Sequence, residues 1–84
     1  MLKLLYFSWV REVIGTGEET LYVPPDLGTV GALVDWLATL DEGHARAFAD
    51  RSRLRAAVDG AFVGLDAPFE GAQEVAIFPP VTGG

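Results

Sequence analysis

The sequence contains no cysteine. Disulfides, thiolate metal sites and a cysteine nucleophile are thereby excluded. Histidine is nearly as scarce, with His44 the sole example, so a multi-histidine centre is excluded and no metal site is expected. His44 itself reads as a solvated helix residue. Long apolar runs are also missing. Met1 to Tyr6 opens like a signal peptide, but the stretch is short and the charged pair Arg11-Glu12 soon interrupts it. No segment reaches the roughly 20 apolar residues that a membrane span requires. A cytoplasmic protein that does not engage membranes is the expectation. The sequence shows no repeats, low-complexity tracts or linkers.

Basic charge is in short supply too. Six Lys and Arg residues stand against twelve Asp and Glu, for a net charge of −6. Such a surface repels phosphate backbones, so nucleic acid is not an expected partner. It suits a protein partner with a basic patch. What is present is a chain of 84 residues, half of them hydrophobic. That length predicts one small domain near the lower limit for folding on a single core.

Leu2 to Ser8 reads as a strand. Trp9, Val10, Val13 and Ile14 follow at helical spacing, and Gly15-Thr16-Gly17 makes a turn. Glu19 to Val23 alternates as a second strand until Pro24-Pro25 stops it. Thr29 is a candidate N-cap, and Val30, Leu33, Val34 and Leu37 form the core stripe of the main helix, flanked by Trp36 and Leu40. Asp41-Glu42-Gly43 reads as a break, and His44 to Asp50 as a short further helix. Leu54 to Val58 is the third strand. Asp59-Gly60 is a hairpin signal, Ala61 to Val63 the returning strand, and Glu74 to Phe78 the last. The order predicts an α+β fold of β-grasp (ubiquitin-like) type, a mixed sheet of about five strands with one main helix on one face.

The sequence closes Phe78-Pro79-Pro80-Val81-Thr82-Gly83-Gly84, which predicts a domain over residues 1–78 and an extended tail over 79–84. Glycine has no Cβ, so a diglycine can enter a narrow tunnel and present a carboxylate there. The prolines fix φ and stiffen the stem. A Gly-Gly end also reads as an ordinary frayed terminus, but the stiff apolar stem argues for an arm.

Alternation assigns surfaces as well. Lys3, Leu5 and Phe7 share one strand face, and Lys3 marks it as the face away from the helix. If Val75 and Ile77 face the helix, Phe78 lies with Leu5 and Phe7, and Phe62 joins them. Such a cluster reads as a protein-binding patch, with ordinary packing the alternative.

These segments together resemble the small, sulfur-carrying subunits of molybdopterin synthase, the MoaD-type ubiquitin-like proteins. The likeness runs from Phe7-Ser8-Trp9-Val10-Arg11-Glu12-Val13-Ile14-Gly15 through Thr29-Val30 and Ala57-Val58-Asp59-Gly60 to the closing Glu74–Gly84. Pro-Pro-Val-Thr-Gly-Gly is its most specific element. The chain departs from the family at Asp59, where asparagine is common, and at Gly71-Ala72-Gln73-Glu74, one residue longer than the usual turn.

The resemblance implies that the first and last strands lie side by side in parallel. It implies a non-catalytic, sulfur-donating subunit whose Gly84 carboxylate is adenylated by an adenylyltransferase that is similar to ubiquitin-activating enzymes and uses ATP and magnesium. No cofactor would be bound permanently. A sulfur donor then converts Gly84 to a thiocarboxylate, which delivers sulfur to cyclic pyranopterin monophosphate inside the large synthase subunit, the two kinds of subunit pairing as a heterotetramer. With no thiol in the chain, only the terminus can hold the sulfur. Gly83 would keep the tail slender, and Pro79, Pro80, Val81 and Thr82 would contact partners. Phe7, Phe62 and Phe78 would anchor them. Arg11 would pair with an acidic partner residue or form an ordinary surface ion pair of little worth. Rival readings are a carrier for thiamine or tRNA thiolation, a ubiquitin-like modifier of lysines, and an interaction domain with an inert tail.

Overall fold

Apolar alternation over Leu2–Tyr6 builds the first strand, β1, with Leu2, Leu4 and Tyr6 buried and Lys3 and Leu5 only partly covered. The coordinates are those of a computed structural model, which describes residues 1–80. The strand is shorter than its composition predicts. Phe7 is extended, and Ser8, at a φ of 56°, turns the chain into α1, Ser8–Ile14. Positive φ is uncommon for a residue other than glycine, and here it marks the corner between strand and helix. β2, Glu18–Leu21, returns antiparallel to β1.

The main helix, α2, spans Val30–Leu37, and its stripe of Val30, Leu33, Val34 and Leu37 is completely buried. The Thr29 hydroxyl accepts from the Ala32 N–H at 3.2 Å, as an N-cap should. Two further N–H groups of the first turn donate to a loop, Val30 to the Ala67 carbonyl at 2.9 Å and Gly31 to that of Leu65 at 2.7 Å. A Cβ at residue 31 would lie 3.1 Å from the Leu65 oxygen, so glycine lets the loop backbone come this close.

The segment read as a break begins a helix instead. Asp41 caps α3, Glu42–Ala47, by accepting from the His44 N–H at 2.9 Å. His44 is therefore not a solvated residue: only 5% of its surface is exposed. Its ring lies 6.2 Å from that of Tyr6 and 6.3 Å from that of Phe48, centroid to centroid. Asp50 then caps a 3-10 turn, Arg51–Arg53, that the sequence pattern did not announce.

Three strands complete the sheet: β3, Arg55–Val58; β4, Ala61–Val63; and β5, Glu74–Phe78. Asp59 and Gly60 join β3 to β4 with φ of 48° and 86°. Both are left-handed, the geometry a two-residue type I′ hairpin requires. The strand order is β2-β1-β5-β3-β4. β1 and β5 run parallel, with Lys3–Tyr6 opposite Glu74–Ile77. Val75 and Ile77 face the core with Leu4, Tyr6, Phe48 and Leu54, so the helices cover one sheet face. This is the expected β-grasp architecture.

Candidate functional site

The uncovered sheet face is built by register. Arg55 pairs with Phe78 and Ala57 with Ala76 across β3 and β5, and Phe62 pairs with Ala57 across β4. Paired residues point to the same side of a sheet, so these side chains emerge together, opposite the buried Val75 and Ile77. Leu5 and Phe7 supply the β1 edge of the same face. The result is a shallow concavity of about 620 Å³ whose lining includes Leu5, Phe7, Phe62, Phe78, Pro79 and Pro80.

Its aromatic residues are unusually open. Phe62 is 83% exposed and Phe7 50%. The Phe62 and Phe78 rings meet at 5.7 Å between centroids, tilted by 56°, the offset arrangement that aromatic pairs favour. The small Ala57 and Ala76, both buried, form the floor. A covering partner would remove both rings from water, worth about 1.5–3 kcal/mol for each large side chain fully buried. β5 leads straight from this floor into Pro79 and Pro80, so the stem leaves the domain at the rim of the concavity.

Sequence reasoning thus brought Phe7, Phe62, Phe78, Pro79 and Pro80 to one place. Arg11 lies apart. It is exposed on α1 and does not line the concavity. Its guanidinium lies close to Gly17, where an added Cβ would sit 3.2 Å from Nε. Val81, Thr82, Gly83 and Gly84 are outside the described residues.

A second cluster was missed. Tyr6 Oη donates to Glu19 Oε2 at 2.7 Å, the same oxygen lies 2.6 Å from His44 Nε2, and His44 Nδ1 lies 2.7 Å from Asp41 Oδ1. Burial lowers the basicity of the imidazole, but hydrogen bonds to Glu19 and Asp41, with their charges, outweigh it and raise its pKa above the ordinary 6.5. The Asp41 carboxyl is held below its usual range by the His44 backbone N–H and ring. Burial, then the Glu19 hydrogen bond and charge, push the Tyr6 phenol well above its usual value. This chain of groups ties β1, β2 and α3 together on the helix side of the sheet, away from the concavity. Only the Asp41–His44 spacing was visible in the sequence. Among the described residues no group of three or more His, Cys, Asp or Glu is arranged to hold a metal ion. No helix among them is long and apolar enough to cross a membrane.

A five-stranded mixed sheet with helices on one face and parallel first and last strands defines the β-grasp, ubiquitin-like class. Comparison with known proteins narrows this. The chain belongs to the ThiS family, whose profile matches residues 4–84. It is 43% identical over its full length, and that of the relative, to the molybdopterin synthase sulfur carrier subunit of Escherichia coli (strain K12). It is 32% identical, again over the whole of both chains, to the protein of the same name from Haemophilus influenzae. Among solved structures it is similar to SAMP1 from Haloferax volcanii, with a TM-score of 0.70 and 26% identity, covering 99% of this chain and 98% of that one.

Proposed function

We propose that this chain is the sulfur carrier subunit of a cytoplasmic molybdopterin synthase. The observation that carries the reading is full-length similarity to two subunits so named, in a sequence that reads Pro-Pro-Val-Thr-Gly-Gly over residues 79–84. The geometry supports it with an aromatic docking face at the base of the stem.

The chemistry explains why a carrier needs partners. A carboxylate is a poor electrophile, because its charge is delocalised and oxide is a bad leaving group. An adenylyltransferase resembling ubiquitin-activating enzymes would use ATP and magnesium to join the Gly84 carboxylate to AMP, releasing pyrophosphate. Hydrosulfide released by a sulfur donor then attacks the acyl carbon and AMP departs, leaving a thiocarboxylate. In the large subunit that sulfur bonds to a carbon of cyclic pyranopterin monophosphate, and water cleaves the acyl–sulfur bond, returning Gly84 as a carboxylate. Two deliveries complete the dithiolene. The large subunit supplies the catalytic residues. This chain supplies the reacting terminus and the surface that aligns it, in a heterotetramer with two copies of each subunit. Phe7, Phe62 and Phe78 dock against partners, Pro79 to Thr82 guide the tail, and Gly83 leaves it narrow enough to thread.

The test is an intact-mass measurement after incubation with the activating enzyme, ATP, magnesium and a sulfur source. Replacement of one oxygen by sulfur at the C-terminus is expected. An unchanged mass, with the enzyme competent on another carrier, would sink the proposal. Supplying the loaded protein and the large subunit with cyclic pyranopterin monophosphate should then yield molybdopterin, which a carrier for thiamine or tRNA thiolation would not give. A ladder of lysine conjugates in lysate would instead indicate a protein modifier.

A further inference from the structure

The chain is acidic as a whole, yet its positive charge is concentrated. Four of the six basic side chains, Arg46, Arg51, Arg53 and Arg55, fall within ten consecutive residues. Arg51 pairs with Asp35, which leaves Arg53 and Arg55 as exposed cations where the 3-10 turn runs into β3. Neither takes part in a salt bridge among the described residues. Register decides where they stand. Arg55 is opposite Phe78, the last residue of β5, so it sits at the end of the sheet from which the stem departs, on the same face as the aromatic concavity. Arg53 lies over the Trp9 ring, 4.7 Å from its centroid, and Trp9 follows Phe7 and Ser8 at that same end. At the opposite end of the sheet β3 finishes just before Asp59 and β5 begins at Glu74. Glu18, the acid on the β2 edge of the open face, is matched by Lys3 at 3.8 Å.

The sheet is therefore polarised along its strands, cationic at the stem end and anionic at the far end. Both guanidinium groups are also held in place. Trp9 stacks under one, and Arg55 Nη1 donates to the carbonyls of Leu54 at 2.8 Å and Ser52 at 3.3 Å. Groups fixed before binding lose less entropy when they engage, and arginine's remaining donors match a carboxylate's two oxygens.

We propose that Arg53 and Arg55 form a cationic collar that receives an acidic rim on the partner protein, around the opening that accepts the tail. The collar sets orientation. With it docked, the stem points into the opening; with the face reversed by a half-turn, Glu74 and Asp59 meet the acidic rim and are repelled. The net charge of −6 disfavours nucleic acid as the occupant. The inference rests on the carrier reading, since it assumes a partner that takes the tail.

Association with the large synthase subunit of the same organism, followed by stopped-flow fluorescence, tests it. The double variant Arg53→Glu and Arg55→Glu should associate about tenfold more slowly at low ionic strength. The difference should vanish at about 0.5 M salt, where such charges are screened. Arg55→Lys keeps the charge and should stay within about twofold of the parent. Arg46→Glu, on α3, changes net charge equally for one site and should behave like the parent. Arg46→Glu makes half the charge change of the double variant, so its slowing by about threefold would show that only net charge matters and would overturn the collar. So would a double variant that associates at the parent rate, or parent protein that binds single-stranded RNA through these arginines. A separate Phe78→Ala variant distinguishes the two levels: weakened binding there with an indifferent double variant rejects the collar alone. No binding by the parent protein rejects the carrier reading as well.

Discussion

His44 places each of its ring nitrogens against a carboxylate oxygen, at 2.6 and 2.7 Å. A ring with hydrogen on both nitrogens can donate to both carboxylates at once, which favours the imidazolium. The pKa is raised in the folded state, which fixes the sign of the linkage. The stabilisation is complete below the ordinary 6.5 of an unfolded histidine and is lost as pH climbs through the higher folded value. Replacing the ring leaves Tyr6 bonded to Glu19 but takes from the part-buried Glu19 its histidine partner, an effect of about 1–3 kcal/mol for a buried polar group left short of a partner. We predict that His44→Gln lowers the melting temperature most near pH 6, and that the gap to the parent narrows on the alkaline side. A gap constant from pH 6 to pH 9 would show that the ring is not charged. The cluster was illegible in the sequence because Glu19 is 25 positions from His44, and nothing local brings β2 to α3. The aromatic residues of the concavity were legible for the opposite reason. Strand alternation is local, and one charged residue, Lys3, was enough to say which face was open. At this scale Phe62→Ala is expected to leave the melting temperature nearly unchanged, because the ring is already in water, while weakening partner binding by about 1 kcal/mol or more. Calorimetry of folding and of binding checks the two halves separately.

Among the elements, the hairpin between β3 and β4 shows how two small sequence oddities can be one feature. By the family resemblance drawn from the sequence, Asp59 stands in place of asparagine and the turn before β5 is one residue longer. In the structure the two meet. Asp59 Oδ1 accepts from the N–H groups of Gln73 at 2.9 Å and Glu74 at 3.0 Å. One carboxylate thus ties the hairpin to the start of the central strand. Asp59→Ala should lower stability by about 1–2 kcal/mol, from lost hydrogen bonds and from the left-handed backbone that alanine tolerates poorly. Asp59→Asn keeps an acceptor and tolerates that backbone, so its urea midpoint should stay close to the parent's. Equal losses for both would show that the hydrogen bonds contribute nothing. The hairpin itself was legible, since Asp-Gly between apolar runs leaves few alternatives. The start of α3 was misread because Asp41 serves equally well to end one helix or begin the next, and only packing of the His44 ring against Tyr6 and Phe48 decides between them.

For the whole molecule, the sheet closes at Phe78 before the tail begins, so folding and the proposed sulfur acceptance are separable. Deleting Gly83 and Gly84 is expected to leave the melting temperature within a degree or two, a surface-change effect of about 0.5 kcal/mol, while abolishing the mass gain on sulfur loading. A large loss of stability would mean that the tail belongs to the fold. Composition and element order were sufficient for the two-layer architecture. The side-by-side placement of β1 and β5 was not readable from periodicity, because pairing between strands some seventy residues apart leaves no local trace; it came from family resemblance. That pairing also governs how the molecule bears load. Met1 precedes β1 at one end of the sheet and Pro80 follows β5 at the other, so tension between them runs along the strands. Separation requires the contacts joining Lys3–Tyr6 to Glu74–Ile77 to slide and break together. A force across the β4 edge would instead open its ladder one rung at a time. Single-molecule pulling should find the end-to-end direction distinctly stronger, so a machine drawing on the tail would meet the molecule along its stiffest axis.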